Sequence, residues 1–317
     1  MDLIYANGNH EDIGVLHDYK FDLAFGSEND FSLTVDKKKH CCEAGYYIYI
    51  DGTEYGGIID TIEVTDEEVV YKGRSWHGVL GGKILVPDAG ADYLTASGDA
   101  NEILASLINR IGLSDSFRAS TGASGLNISG FQFNRYTDAY SGILKLLKSA
   151  NGKLIFTYKD GKVELSALPL IDYSIDEQFD SDQVSLKIDK SFNSTNHLIC
   201  LGKGELAQRQ VIHLYADAEG NISTVQTITG INEIVDVYDY SSAESLDELE
   251  AGGIERLQEA QKCSVSMDFD AESTVYDIGD IVGSKDIITG IEVTASITGK
   301  TITINKGKIT IQYKVGE

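Results

Sequence analysis

Gly45-Tyr46-Tyr47-Ile48-Tyr49-Ile50-Asp51-Gly52-Thr53-Glu54-Tyr55-Gly56-Gly57-Ile58-Ile59-Asp60 decides how this chain folds. Two runs rich in tyrosine and isoleucine flank Asp51-Gly52, and both residues of an Asp-Gly pair tolerate the positive φ of a tight hairpin. The stretch reads as two antiparallel strands. Upstream, Phe31, Leu33 and Val35 alternate with Ser32, Thr34 and Asp36, the period of two that marks a half-buried strand. Downstream, residues 61–65 and 69–72 continue the meander, with Asp66-Glu67-Glu68 at the connecting turn. Residues 1–90 are expected to form a first β-barrel-like domain, and Trp76 to anchor its core.

The period changes after Pro87. Asp99 and Glu102 form a capping box, Ile103, Leu104, Leu107, Ile108 and Ile111 make one apolar stripe, and Gly112 ends the helix. A second helix is predicted over 138–150, capped by Thr137, with Ile143, Leu144 and Leu147 inward and Gly152 as its stop. Residues 153–158 and 162–168 flank another Asp-Gly pair, Asp160-Gly161, and read as a hairpin. Residues 91–175 are therefore an expected α+β domain.

Residues 172–182 hold five acids and no base, the composition of an exposed crossing between domains. Strands are then expected at 184–188, 197–202, 210–215, 224–228, 264–269, 291–297, 301–304 and 309–315. A helix interrupts them at about 240–263: Ser241 and Glu244 cap it, and Leu246, Leu249, Ile254 and Leu257 form its buried face. Gly252-Gly253 should weaken or kink it, since glycine costs about 1 kcal/mol against alanine in a helix. Residues 176–317 thus read as a second β-barrel-like domain with an inserted helical segment. The fold class is mainly β with α+β insertions.

Fifty acidic residues against 26 basic ones give the 317-residue chain a formal charge of −24. Binding to nucleic acid needs cations that displace phosphate counterions, so a specific DNA or RNA binder is disfavoured, and an anionic membrane surface repels the chain. The acidity serves solubility, or lines a passage to which DNA must not stick. No run approaches the roughly 18 apolar residues of a membrane span. Residues 1–14 lack the basic start and apolar stretch of a secretory signal. Cys41, Cys42, Cys200 and Cys263 read as reduced thiols of a protein folded in a cytoplasm, adjacent cysteines being poorly placed to pair.

Motifs that carry chemistry are missing. No Gly-rich phosphate loop is present, and Gly202-Lys203-Gly204 marks a strand end. His40-Cys41-Cys42 and His197-x-x-Cys200 could offer soft ligands but lack a partner cluster at metal-binding spacing; the plain expectation is a core Cys200 with His197 facing outward. Gly122-Ala123-Ser124-Gly125 is not a nucleophile elbow. No catalytic residue, cofactor or metal is expected. Of the 17 tyrosines, Tyr46, Tyr47 and Tyr49 straddle both faces of one strand, which reflects either plain β propensity or a subunit interface.

Three stretches taken in order carry a resemblance. They are the opening hairpin with Tyr71-Lys72-Gly73-Arg74-Ser75-Trp76-His77-Gly78-Val79-Leu80 and Lys83-Ile84-Leu85-Val86-Pro87; Leu198-Ile199-Cys200-Leu201-Gly202-Lys203-Gly204-Glu205; and Tyr276-Asp277-Ile278-Gly279-Asp280-Ile281-Val282 with Ile304-Asn305-Lys306-Gly307 and Tyr313. The chain resembles phage and prophage tail-tip hub proteins, the Gp37-like tail proteins of siphophages, which are related to contractile-tail baseplate hubs. The resemblance implies two β-barrel-like hub domains per subunit plus smaller α+β domains, and a homotrimeric ring matching the tail tube. It implies a non-enzymatic part of the virion tail, made and assembled in the bacterial cytoplasm. Its partners would be a distal tail protein, a tape-measure protein and tail-tube or tail-spike proteins. Many relatives continue into a peptidoglycan-cleaving or receptor-binding region; this chain ends at Glu317 directly after a strand, so host-wall digestion is not expected of it. Two other readings stay open: a tail-associated carbohydrate-binding or adhesion module, which calls for exposed aromatic platforms, and a cell-wall hydrolase with an unrecognised site.

Overall fold

The computed structural model describes residues 2–174, 178–180, 185–189, 194–218, 220–243, 245–261, 264–270, 275–285 and 292–316. Alternation builds its main sheet. Asp30–Asp36 turns Phe31, Leu33 and Val35 inward, and pairs on one side with Lys20–Phe25 and on the other with Glu68–Ser75. The meander continues through Gly56–Val64, Tyr47–Tyr49, Leu3–Ala6 and Asp12–Leu16. Beyond Lys20–Phe25 the next strand is Glu292–Asn305, with Phe25 opposite Lys300 and Lys20 opposite Asn305. Lys308–Gly316 pairs with it across a left-handed Lys306-Gly307 turn. Thirteen described strands thus join in one curled, half-barrel sheet that draws on both halves of the sequence. Its concave core holds Leu3, Phe21, Leu23, Leu33, Ile48, Tyr71, Ile302 and Ile304.

The helices belong to insertions. α1 (Trp76–Gly81), α2 (Ala100–Arg110) and α3 (Ala139–Lys148) pack with the Gly152–Lys159 and Lys162–Pro169 hairpin around Leu80, Leu104, Leu107, Phe117, Leu146 and Leu165. Asp160 and Gly161 have φ of 54° and 74°, the two-residue turn that the sequence predicts there. Asp51-Gly52 differs: residues 50–55 form a longer loop in which Gly52 is left-handed and Asp51 is not. Ile50 N–H closes it on Tyr55 O, while Gly52 N–H and Thr53 O both bond to Tyr158. Asp99 caps α2 as expected, accepting from Asn101 N–H. Asp138, not Thr137, caps α3, because the Asp138 carboxylate reaches Ser141 N–H. Left-handed Asn151 ends that turn, and Gly152 already belongs to the next strand.

The described residues divide into two compact units, Met1–Leu186 with Ser266–Gly316, and Lys187–Val265. In the second, Ile222–Ser223, Val211–Ala216, His197–Leu201 and Val235–Asp239 form a four-stranded sheet in that order. Residues 224–228 are not a strand, and Val235–Asp239 is one that periodicity did not single out. α4 (Leu246–Gln261) lies on one face, burying Leu249 and Leu257 against Leu198, Cys200 and Leu214. Its cap is Ser245, whose hydroxyl accepts from Glu248 N–H, rather than Ser241. The expected break at Gly252-Gly253 does not occur. A Cβ on Gly253 would lie 2.5 Å from Cys200 Sγ, so glycine serves here to let the helix approach the sheet.

Two other expectations change. Part of the crossing at 172–182 is the strand Gln178–Asp180, parallel to 283–285, and residues 175–177 and 181–182 lie outside the described residues. The strands expected at 291–297 and 301–304 are one strand, Glu292–Asn305, with a register shift between Ile297 and Gly299; Ile291 lies outside the described residues, as does Cys263. Among the described residues no helix is long and apolar enough to cross a membrane.

Candidate functional site

A chain of alternating charges lies within the first unit, beside a cavity of about 250 Å³ lined by Glu54, Tyr55, His77, Tyr140, Phe156, Asp277 and Lys300. Each member comes from a different local device. The closed loop 50–55 presents Glu54. Ser75 ends its strand and caps α1 through Gly78 N–H, which carries Trp76 and His77 inward. Lys300 shares the parity of Ile302 and Ile304, so it too turns to the buried side, and it is 3% exposed. Asp277 and Asp280 face each other across a turn in which Asp280 accepts from Asp277 N–H.

Lys300 Nζ lies 2.5 Å from Glu54 Oε1 and 3.7 Å from Asp277 Oδ1. Lys153 Nζ donates to Asp277 Oδ2 at 2.9 Å and to Asp280 Oδ2 at 2.8 Å. Asp280, fully buried, also accepts from Ile171 N–H at 2.8 Å. Burial pushes the Glu54 carboxyl up, but the Lys300 ammonium outweighs it and holds it at about 2. Burial opposes charge on Lys300 and Lys153 as well, yet their carboxylate partners raise both above the usual lysine value. His77 is different. Its ring stacks between Phe156 at 3.8 Å and Phe25 at 4.3 Å. Glu54 Oε2 is 3.4 Å from Nε2 but out of hydrogen-bond geometry, and neither ring nitrogen has a hydrogen-bond partner among the described residues. Burial lowers its pKa against the pull of Glu54, so the ring is neutral near pH 7.

Each carboxylate here is met by a cation, and each cation by a carboxylate. What the arrangement does chemically is fasten: it ties the 50–55 loop, the Gly152–Lys159 hairpin, the 275–280 turn and the long C-terminal strand at one place. Buried ion pairs that are fully satisfied specify one arrangement of the segments that bear them, because any other leaves a charge stranded.

The residues singled out from sequence lie on the neighbouring wall. Tyr46 is half-buried against the sheet core. Tyr47, also half-buried, stacks on His10 at 4.2 Å and faces Trp76 at 6.3 Å. Tyr49 is buried, donates its hydroxyl to Asp12 and packs on Tyr158 at 4.0 Å. Trp76 is 1% exposed, but it belongs to the core under the helices, with Tyr158 and Phe117, and not to the concave core of the sheet. The reason is local. The strand stops at Ser75, and Gly56 opposite leaves room where a Cβ would come within 2.7 Å of Trp76 Nε1. Glu54, His77, Lys153, Asp277, Asp280 and Lys300 were not singled out from sequence. One signal was available: a lysine on the apolar parity of a strand needs a buried partner.

The cysteine clusters are not ligand sets. His40 Nδ1 pairs with Tyr71 OH at 2.8 Å, and Cys41 and Cys42 are free thiols with sulfurs 3.6 Å apart. Cys200 is buried under α4, as expected, while His197 is also buried and on the opposite face of the sheet. The expectation that His197 faces solvent is corrected: it is held by Glu233 and His213. Among the described residues no three potential ligands surround a common metal position.

No family model and no curated protein sequence matches the chain. Solved structures do. The tail protein from Neisseria meningitidis MC58 aligns with a TM-score of 0.54 at 12% identity, covering 100% of this chain and 96% of that one. The 43 kDa tail protein of prophage MuSo2 from Shewanella oneidensis aligns at 0.57 and 11%, covering 99% and 98%. The fold is shared with phage tail proteins. Prophage tail protein gp18 from Listeria monocytogenes EGD-e adds a third case, at 0.55 and 12%, covering 99% and 94%. At these identities the likeness is one of fold, and the alignments span more than nine-tenths of each chain.

Proposed function

We propose that this protein is a structural component of a phage or prophage tail tip or baseplate hub, forming a trimeric ring that continues the tail tube and lets DNA pass. The observation that carries the reading is end-to-end agreement in fold with three bacterial tail proteins, each covered over more than nine-tenths of its length. The buried charge chain supports it, since a ring that bears load needs its segments fixed, and these charges are spent on one another. In this reading the barrel-like strands of residues 1–90 and 176–317, which meet in the large sheet through Lys20–Phe25 and Glu292–Asn305, supply the wall of the ring and residues 91–175 an outer block. Tyr46 and Tyr47, both part-exposed, contact the next subunit, while Tyr49 and Trp76 brace the wall from within. Exposed carboxylates of the −24 chain line the bore and repel phosphate. A distal tail protein, a tape-measure protein and tail-tube or tail-spike proteins are its neighbours in the virion tail. The test is mass in solution together with negative-stain images of the full chain, alone and mixed with its tail-tube protein. Threefold rings with a central hole are expected; particles without a hole under both conditions overturn the reading.

A further inference from the structure

Two thiols of the first unit touch. Between Lys37–Lys39 and Tyr47–Tyr49 the chain brings Cys41 and Cys42 side by side, with their sulfurs 3.6 Å apart. The two are unequally placed. Cys42 is fully buried in the concave core, whereas Cys41 is part-exposed against it. The backbone that carries them is fastened to one hydroxyl. Tyr71 OH accepts from Cys41 N–H at 3.1 Å and from Cys42 N–H at 3.4 Å, which leaves its own proton for His40 Nδ1, 2.8 Å away. A segment held at three successive residues keeps its thiols in contact without further ordering, and that raises the effective concentration of each toward the other.

We propose that Cys41 and Cys42 form an oxidation site, at which peroxide couples them into a disulfide between adjacent residues. Burial and the neighbouring Cys41 both push the Cys42 thiol up, so the reaction starts at the part-exposed sulfur. The Cys41 sulfur attacks peroxide, the O–O bond breaks, and the departing hydroxide takes the Cys41 proton to become water. The Cys42 sulfur then attacks the sulfenic acid on Cys41. The S–O bond breaks, and its hydroxyl leaves with the Cys42 proton as a second water. Two electrons have passed from the pair of sulfurs to the peroxide. Adjacency sets the character of the bond. Cα atoms lie about 3.8 Å apart across a trans peptide, short of the roughly 4.4–6.8 Å that a relaxed disulfide spans. The closed form is therefore strained, and the strain falls on the peptide whose N–H Tyr71 holds. Strained disulfides are the readily reduced ones, so the pair is a reversible mark and not a permanent staple. The site lies within one chain and is independent of the ring.

The test exposes the folded full chain to hydrogen peroxide, blocks the remaining thiols with N-ethylmaleimide and maps the tryptic peptides. Residues 40–72 form one such peptide, with Cys41 and Cys42 as its only cysteines, and residues 191–203 another, with Cys200 alone. The 40–72 peptide is expected to lose two hydrogens, to take up no maleimide, and to recover both thiols in reduced glutathione. It should react at least about tenfold faster than buried Cys200. In Cys42→Ser, with its far-UV spectrum unchanged, Cys41 should stop at the sulfenic acid and be trapped by dimedone. A 40–72 peptide that stays reduced, that gains oxygens instead of losing hydrogens, that reacts no faster than Cys200, or that is joined to another cysteine or a second chain overturns the proposal. A coupled pair that reduced glutathione cannot reopen overturns its reversibility, and a Cys42→Ser protein that dimedone does not label overturns the order of attack.

Discussion

Lys300 illustrates what a buried charge demands of its surroundings. With Glu54 2.5 Å away it is satisfied; without it, an ammonium would stand in a site only 3% exposed. Lys300→Met strands the Glu54 carboxylate, and we expect a loss of about 3–5 kcal/mol in denaturant unfolding. Lys300→Met with Glu54→Gln should recover more than half of that, because no charge is then left alone; a double variant no better than the single one would show that the pair does not couple. His77 gives a pH dependence of definite sign. Its folded pKa lies below the usual 6.5, so under acid the unfolded chain takes up a proton that the folded chain refuses. Stability therefore falls as pH drops below about 6.5. In His77→Phe, whose ring suits the space between Phe25 and Phe156, that fall should vanish from the unfolding midpoint between pH 7 and 5. Glu54 acts lower: its stabilisation is complete above the ordinary carboxylate value of 4.5 and is lost toward its folded value of about 2.

Elements formed where local signals were strong. The stripe behind Asp99 gave α2, the Phe31-Leu33-Val35 alternation gave its strand, and Asp160-Gly161 gave a two-residue turn. Signals failed where packing outranked them. Asp51-Gly52 became part of a longer loop because Gly52 and Thr53 are tied to Tyr158, more than a hundred positions later. Gly252-Gly253 reads as a break, yet helix and sheet meet there. Gly253→Ala should gain about 1 kcal/mol in helix propensity and lose about 1–3 kcal/mol by overpacking on Cys200 Sγ, a net destabilisation. Adding Cys200→Ala should reverse it. Thermal unfolding followed by circular dichroism reads both, and a Gly253→Ala protein more stable than the wild type would overturn the packing argument.

At the scale of the whole molecule, the seam between Lys20–Phe25 and Lys300–Asn305 carries the first unit. A chain cut after residue 186 loses that partner, and leaves Phe21 and Leu23 without Ile302 and Ile304 behind an unpaired edge. Such an edge recruits other chains. Truncation is expected to give aggregated rather than soluble protein on expression, and a soluble fragment with native-like near-UV signal would refute the seam's importance. The order of strands within each half was legible, because hairpin partners are neighbours in sequence. The seam was not, since nothing in the alternation of residues 20–25 names a partner some 280 positions away.

By itself the sequence determined the mainly β class, the places of α2, α3 and α4 but not of α1, the excess of negative charge, and a resemblance to tail proteins whose fold it proves to share. These follow from side-chain period, capping residues and composition, which act over a few residues and need no knowledge of the rest. Only the tertiary structure decided that Trp76 turns away from the sheet core, that His197 is enclosed, and that Glu54, His77, Lys153, Asp277, Asp280 and Lys300 assemble at one place. Burial and charge pairing depend on which distant segments come to lie together, and that is set by the packing of the whole chain.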